Sequence, residues 1–192
     1  MTVPSTTKFL LLLGPSGVGK SRIIWALKEL DRRYCYISPY TNRRLREGET
    51  DKVYVGDAEM DRMAAAGEFL VINEKFGYRY ATPRSPILAA FADGRFPLLD
   101  WPVDRFGIMR DGFPNRLYAA YVRPPSLEVL ADRLRADGRD PEGVRLREAA
   151  TELERERSGE YASFCDLVVV NRDGAVAKVA RTVHENYLRS LG

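Results

Sequence analysis

One eight-residue segment carries the strongest chemical signal in the sequence. It reads Gly14-Pro-Ser-Gly-Val-Gly-Lys-Ser21 and matches the pattern G-x-x-x-x-G-K-[ST]. Glycines let such a loop curl so that its N–H groups point at phosphate oxygens, and a following helix adds its positive end. The lysine reaches the outer phosphates of a nucleotide, and the Ser hydroxyl binds Mg²⁺. The pattern therefore predicts ATP contacts from Gly14, Ser16, Gly17, Val18, Gly19, Lys20 and Ser21.

The flanking sequence supplies the elements that this loop requires. The apolar run Phe9 to Leu13 is typical of a strand buried on both faces. Apolar residues then recur at helical spacing over 20–31, which predicts a helix directly after the loop. Further apolar runs at 96–100, 117–122 and 167–170 alternate with helical patterns. This alternation predicts an α/β fold with a parallel sheet that is flanked by helices.

Composition limits the class of protein. The chain has 192 residues, with 30 Lys or Arg, 27 Asp or Glu and a net charge of +3. This length fits one compact domain, and so small a charge predicts no nucleic-acid partner. No apolar run is long enough to predict a membrane span, and two cysteines with one His predict neither a disulfide framework nor a multi-histidine metal site. We expect a cytoplasmic protein, monomeric or homodimeric.

Arginine outnumbers lysine by 24 to 6. A GC-rich genome is the simplest source of this excess, and we expect it to explain most of these residues. Arg also presents a planar fork that binds phosphate through two parallel hydrogen bonds, unlike the compact ammonium group of Lys. The useful question is therefore which arginines stand where phosphates would bind.

From the phosphate loop onward, the chain resembles the guanylate kinase family over nearly all of its length. The loop has the form that this family uses, and weaker segments follow in the family's order and spacing. These segments are Thr41-Asn-Arg-Arg-Leu-Arg-Glu-Gly-Glu49 followed by Tyr54, Gly67-Glu-Phe-Leu70, Tyr80-Ala-Thr82, Pro124-Pro-Ser-Leu127 followed by Arg133-Leu134, Arg145 to Glu152, and Asp166 to Asn171.

The resemblance implies both a fold and a reaction. The fold is a P-loop core with an inserted lobe for the phosphate acceptor and a mobile lid. The reaction transfers the γ-phosphoryl group of ATP, with Mg²⁺, to a nucleoside monophosphate, and it needs positioning and cations more than covalent chemistry. Residues 1–192 would form one such domain, with the core at 1–35, 91–136 and 149–192, the acceptor lobe at 36–90 and the lid at 137–148.

The resemblance also assigns roles to cationic and phenolic residues. Arg43 and Arg46 match the two arginines that bind the acceptor's phosphate. Tyr54 and Tyr80 match the tyrosines that bond the same phosphate, although the spacing from Glu49 to Tyr54 is one residue shorter than usual. The cations expected to act in catalysis are Lys20, Arg133 and Arg145.

Other matched positions concern the two bases and the metal. Thr82 matches a Ser or Thr near the acceptor base, and Asn171 matches a residue near the donor adenine. Asp100 aligns with a carboxylate that ends a strand near the phosphates. There it would contact the acceptor and, together with Ser21, bind Mg²⁺.

Three positions depart from the family pattern. Val71 stands where the family has a Glu that accepts hydrogen bonds from guanine, and valine leaves those N–H groups unpaired. If Asp100 is the first Asp of the family's pair, Pro102 replaces the second, base-reading one, and a two-residue shift reverses this. The lid arginine falls on Asp137, with two candidate substitutes, Arg139 and Arg147.

These departures leave three functional hypotheses. The first is an ATP- and Mg²⁺-dependent nucleoside monophosphate kinase, with GMP as the expected acceptor. The second is a guanylate-kinase-like kinase of a sugar phosphate such as ribose 1,5-bisphosphate, which the loss of base-reading acids favours. The third is a non-catalytic guanylate-kinase-like interaction domain, against which the intact phosphate loop argues. The sequence favours the first.

Overall fold

The computed structural model of the chain describes residues 7–75, 77–138, 140 and 142–192. Arg139, a candidate substitute for the lid arginine, lies outside the described residues. The strands are β1 (Phe9–Leu13), β2 (Tyr34–Tyr36), β3 (Tyr40–Thr41), β4 (Val53–Tyr54), β5 (Phe69–Lys75), β6 (Tyr78–Pro83), β7 (Phe96–Asp100), β8 (Leu117–Arg123) and β9 (Leu167–Val170). The helices are α1 (Lys20–Leu30), α2 (Asp57–Ala65), α3 (Arg84–Ala92), α4 (Phe106–Gly112), α5 (Leu127–Ala136), α6 (Val144–Arg157) and α7 (Val176–Arg189), with a 3₁₀ turn at Val103–Arg105.

The main sheet has five strands in the order β2-β7-β1-β8-β9, and every pairing in it is parallel. Its central strand, β1, is fully buried along all five residues. The predicted α/β fold with a parallel sheet flanked by helices is confirmed. Because all strands run the same way, their carboxyl ends meet at one edge, which is where open α/β sheets bind ligands.

Alternating side chains of β1 enter two separate cores. Phe9, Leu11 and Leu13 pack with apolar residues of α3, α4, α5 and α6 on one face of the sheet. Leu10 and Leu12 pack with α1 and α7 on the other. A fully buried Leu side chain contributes roughly 1.5–3 kcal/mol to folding, so this strand anchors both layers.

A second, smaller sheet lies between β2 and β7 in the sequence. Its order is β4-β3-β6-β5, with β3 and β6 antiparallel and β5 and β6 antiparallel. One face packs on α2 through a small cluster that includes Met60, Phe69 and Ala81. The other face is the one that carries Tyr80, described below.

No described helix has both the length and the apolar character needed to cross a membrane. The 3₁₀ turn and α4 were not predicted from the sequence, although Val103, Phe106 and Met109 recur at helical spacing and are buried. The segment is short and contains Gly107 and Gly112, which lower its helical propensity. Packing against the first core stabilises it instead.

Candidate active site

The phosphate loop connects β1 to α1 at the carboxyl edge of the main sheet. Gly14 has φ 124°, and a Cβ built there would lie 2.3 Å from the backbone oxygen of Val122. Gly19 has φ 98°, and its Cβ would lie 2.6 Å from Nδ2 of Asn171. Only glycine fits both the left-handed conformation and these close approaches. The loop is thus held in its curled form by Val122 of β8 and by Asn171, which directly follows β9.

Lys20 begins α1 and folds back over the loop. Its ammonium group donates hydrogen bonds to the carbonyl oxygens of Gly14 and, at 3.0 Å, Pro15. Ser21 follows at the mouth of the loop. Both Lys20 and Ser21 line a large cavity, which is described below. The loop therefore presents an ammonium group and a hydroxyl next to backbone N–H groups, which is a binding site for phosphate with a metal ion.

Asn171, directly after β9, fixes the loop. Its side chain is 3% exposed, and its Nδ2 donates to the Val18 carbonyl at 2.9 Å. Its Oδ1 is buried and, among the described residues, has no hydrogen-bond partner. Val18 itself is fully buried in the core that Leu10 and Leu12 form with α1 and α7. The family resemblance predicts that Asn171 lies near the adenine of the donor, and this stays a prediction. The structure shows that Asn171 secures the phosphate loop.

Two arginines approach the loop from α5 and α6. The Nη2 of Arg133 donates to the backbone oxygen of Asn171 at 2.9 Å and to Asp173 at 2.7 Å. Its Nη1 is buried and has no hydrogen-bond partner in the part of the chain that the structure describes. Arg145, in the first turn of α6, donates to the Ser16 hydroxyl at 3.4 Å. The backbone N–H of Arg145 donates to the carboxylate of Asp140 at 2.9 Å. Both guanidinium groups therefore stand beside the loop that would hold the donor phosphates.

Glu49 organises residues 43–52, which belong to the predicted acceptor lobe. Its carboxylate accepts two hydrogen bonds from Nη2 of Arg43, at 2.6 and 2.7 Å, and one from the backbone N–H of Arg46 at 3.0 Å. Burial opposes the charge, but these bonds and those from Lys52 bring the pKa of Glu49 down to about 2. The hydrogen bonds from Arg43 to Glu49 raise the pKa of Arg43. Partial burial of the guanidinium opposes this shift, and the bond to Tyr80 adds to it. The Nε of Arg43 also donates to the Tyr80 hydroxyl at 3.3 Å.

Asp100 ends β7, and its register partner on β1 is Leu12, two residues before Gly14. The Tyr36 hydroxyl donates to its Oδ1 at 3.0 Å. Burial, followed by the Asp100 charge, raises the pKa of Tyr36 far above its usual range, so the phenol stays protonated and donates. A carboxylate and the Ser21 hydroxyl on one cavity form an oxygen donor set, and Mg²⁺ is usually bound by one or two carboxylates together with substrate phosphates. These residues therefore fit a Mg²⁺ ion.

A single cavity of about 870 Å³ brings these groups together. It also contains cations that the sequence did not single out, namely Arg22, Lys52 and Arg172. Arg22 follows the phosphate loop directly and Arg172 follows Asn171, so adjacency to a motif was the available signal. The predicted site residues that line the cavity are Ser16, Gly17, Gly19, Lys20, Ser21, Arg43, Arg46, Tyr80, Asp100, Arg133, Arg145 and Asn171.

Other predicted site residues do not line this cavity. The side chain of Tyr54 is on edge strand β4 with 50% exposure, and the lining does not include it. Val71 packs against the first core, and Thr82 is 4% exposed. Gly14 and Val18 support the loop from behind. The predicted acceptor lobe therefore contributes Arg43, Arg46 and Tyr80 to the cavity, while Val71 and Thr82 do not line it.

Residues 137–148, the predicted lid, have the acidic Asp137 at the position that the resemblance assigns to an arginine. Asp137 lines the cavity. Arg147, one candidate substitute, donates to the Glu142 carbonyl at 3.0 Å and does not line the cavity. Among the described lid residues, the arginine that reaches the phosphate loop is Arg145.

Comparison with known proteins decides the family. The guanylate kinase family model matches residues 6–186. The chain belongs to the guanylate kinase family. Curated members from Thermobifida fusca (strain YX) and Symbiobacterium thermophilum (strain DSM 24528 / JCM 14929 / IAM 14863 / T) are each 37% identical to it, over 169 and 184 residues. The first alignment covers 84% of this chain and 82% of the relative, and the second covers 91% and 83%. The guanylate kinase family assignment makes the chain a nucleoside monophosphate kinase, as the sequence predicted.

Solved structures agree on the fold. The guanylate kinase from Anaplasma phagocytophilum superposes with a TM-score of 0.72 at 22% identity, covering 100% of this chain and 90% of that one. A shikimate kinase from Acinetobacter baumannii, in complex with shikimate, has a TM-score of 0.53 at 16% identity and covers 96% of this chain and 94% of that one. At these identities the likeness concerns the P-loop kinase fold. The specificity for an acceptor must be argued from this chain's own residues.

Proposed function

We propose that this enzyme transfers the γ-phosphoryl group of ATP to a nucleoside monophosphate, with GMP as the expected acceptor, and yields ADP and a nucleoside diphosphate. One observation carries the proposal. The cavity holds Lys20 and Arg133 on the side of the phosphate loop, and Arg43, Arg46 and Tyr80 on the side of the small sheet. Two separate sets of phosphate-binding groups on one cavity suit a donor and an acceptor better than a single nucleotide.

The residues divide the work of the reaction. The loop and Lys20 would hold the β- and γ-phosphates, while Arg43 and Arg46 would hold the acceptor's phosphate in line with the γ-phosphorus. Arg133 and Arg145 would stabilise the charge that spreads over the equatorial oxygens in the transition state. Mg²⁺ bound by Ser21 and Asp100 would neutralise charge on the β- and γ-phosphates.

The ion pairs seen in the cavity keep these arginines in place before substrates bind. Arg43 is held by Glu49, and Arg133 by Asp173, at 2.6 and 2.7 Å. Asp173 is 84% exposed, so its pair with Arg133 is weak and a phosphate can displace it at small cost. Glu49 is 12% exposed, so its pair is stronger and positions Arg43 rather than competing with the substrate.

We also propose that residues 137–148 act as a lid over the 1–35, 91–136 and 149–192 core, and that 36–90 form the acceptor lobe. The contact of Arg145 with Ser16 supports a role for the lid end of α6 at the donor site. Closure over the phosphates would exclude water, which would otherwise hydrolyse ATP.

A coupled assay tests the proposed reaction. ADP release is measured with ATP and Mg²⁺ in the presence of GMP, AMP, CMP, UMP or no acceptor. We expect one monophosphate to raise ADP release well above the rate with ATP alone, and we expect GMP to be the best acceptor of the four. If no monophosphate raises ADP release, the proposal fails.

A sugar phosphate is the second candidate acceptor, and one observation favours it. Val71 presents methyl groups where a guanine-reading carboxylate would stand, and it packs against the core. A site without base contacts would accept a base-free compound such as ribose 1,5-bisphosphate as readily as a nucleotide. Turnover of that compound in the same assay, at a rate equal to or above that with GMP, would favour the second candidate.

A further inference from the structure

The register of the two long strands in the small sheet defines which residues share a face. Val71 of β5 lies opposite Thr82 of β6, and Asn73 lies opposite Tyr80. Side chains alternate along a strand, so these four residues point to the same side of the sheet. The intervening pair, Ile72 and Ala81, packs with α2 on the opposite side.

The face that carries Asn73 reaches the cavity through Tyr80, while Asn73 itself is not among the residues that line it. Tyr80 lines the cavity and its hydroxyl is bonded by Arg43. Asn73 stands directly across from Tyr80, where side chains of paired residues lie about 5 Å apart at Cβ. It is also diagonal to Thr82, the residue that the family resemblance places near the acceptor base. Asn73 is therefore a cross-strand neighbour both of Tyr80, the predicted phosphate ligand, and of Thr82, the predicted base ligand.

Asn73 carries a hydrogen-bond acceptor that no described residue uses. Its Oδ1 is buried and accepts no hydrogen bond from the residues that the structure describes. A buried polar atom without a partner destabilises the fold, and such atoms often have a functional role. Asn73 as a whole is only half-buried, and the last torsion of asparagine is broad and roughly two-fold, so the amide turns without a change in the backbone.

We infer that Asn73 is a specificity-determining residue that accepts a hydrogen bond from an N–H group of the acceptor's base. It would take over part of the task of the carboxylate that Val71 has replaced. This inference rests on the proposed function, because it requires a nucleotide acceptor.

The chemistry of an amide differs from that of a carboxylate in a way that affects specificity. A carboxylate accepts from two neighbouring N–H groups, whereas the amide of Asn73 offers one acceptor oxygen and a donor NH₂. Guanine presents N–H groups at N1 and N2, and hypoxanthine presents the one at N1 only. A site that relies on Asn73 should therefore favour GMP over IMP only weakly.

Substitution of Asn73 tests this inference. For Asn73→Ala, we expect kcat/KM for GMP and IMP to fall about 10- to 100-fold, the range for a lost buried hydrogen bond, while the KM for ATP stays within two-fold. For Asn73→Asp, we expect the ratio of kcat/KM for GMP over IMP to rise at least five-fold, because a carboxylate accepts from both N–H groups of guanine. Thermal unfolding of both variants checks that the fold is retained.

Glu74→Gln is the matched control. Glu74 is the next residue of the same strand, is exposed and points to the other side of the sheet. The Glu74→Gln variant should leave the ratio of kcat/KM for GMP over IMP unchanged. Comparison of GMP with its 2′-deoxy form adds a second control, because a residue that bonds the ribose would alter that ratio and not the ratio between bases.

The possible outcomes separate the inference from the proposed function. If wild type turns over no nucleoside monophosphate, the proposed function itself fails. If wild type turns over GMP and the Asn73 variants keep its base preference, the inference is wrong and the function stands. An Asn73→Ala variant that alters only the preference between ribose and deoxyribose would assign Asn73 to the sugar and overturn the inference.

Discussion

Replacing Glu49 with glutamine should weaken both the acceptor site and the fold. The carboxylate of Glu49 is bonded by Arg43, by the backbone of Arg46 and by Lys52, and its side chain is 12% exposed. Its pKa is about 2, against an ordinary value of 4.5. One unit of pKa corresponds to about 1.4 kcal/mol, so ionisation of Glu49 stabilises the folded state by roughly 3 kcal/mol. Because the amide oxygen of glutamine still accepts a hydrogen bond, we expect a loss of about 2 kcal/mol at neutral pH.

The pH dependence gives this prediction a distinct signature. A lowered pKa contributes stability that is fully present above 4.5 and is lost as the pH falls toward about 2. The difference in unfolding free energy between wild type and Glu49→Gln should therefore be nearly constant from pH 7 to pH 5 and shrink by about 2 kcal/mol, to nearly zero, near pH 3. Urea unfolding at pH 7, 5 and 3 measures it.

The same variant should change catalysis selectively. Since Glu49 positions Arg43 for the acceptor's phosphate, the KM for the acceptor should rise about ten-fold while the KM for ATP stays within two-fold. Glu59→Gln is the control, because Glu59 forms an exposed pair with Arg62 and its replacement should leave the unfolding free energy close to that of wild type. An equal stability difference at pH 7 and pH 3, or an unchanged acceptor KM, would refute the reasoning.

Three further substitutions test the roles of single residues. Lys20→Ala should lower kcat at least 100-fold with the unfolding temperature preserved, because Lys20 stabilises charge that develops in the transition state, and near-normal turnover would exclude that role. Val71→Glu should raise GMP turnover relative to other monophosphates, and an unchanged preference in the assay panel would contradict our alignment of Val71 with the guanine-reading position. Arg133→Lys should lower kcat about ten-fold or more, since Lys lacks the planar fork that binds phosphate through two parallel hydrogen bonds; steady-state kinetics that match wild type would count against it.

Much of the fold could be predicted because the signals were local. Continuous apolar runs at Phe9–Leu13, Phe96–Asp100 and Leu167–Val170 are strands of the parallel sheet, as predicted. The phosphate loop could be read from residue types, because glycines, Lys and Ser at fixed spacing have one physical use. α4 was missed, because its stability comes from packing of Phe106 and Met109 rather than from helix-forming residues.

The rest of the site depends on contacts between distant segments. The importance of Glu49 follows from its bonds to Arg43 and Arg46. Asn73 has no motif, and its position beside Tyr80 follows only from the register of β5 with β6. The spacing to Tyr54 was unusual in the sequence, and the structure leaves that residue half-exposed on an edge strand rather than in the cavity.

The central claim is that donor and acceptor phosphates bind in one cavity, and a bisubstrate analogue tests it most directly. Calorimetry would measure binding of adenosine and guanosine joined through five phosphates. We expect one analogue per chain, bound at least 100-fold more tightly than ATP or GMP alone, because linking the two halves makes the second binding event intramolecular. Affinity should fall for both Lys20→Ala and Arg43→Ala. Binding no tighter than that of ATP, or sensitive to Lys20→Ala alone, would contradict the claim.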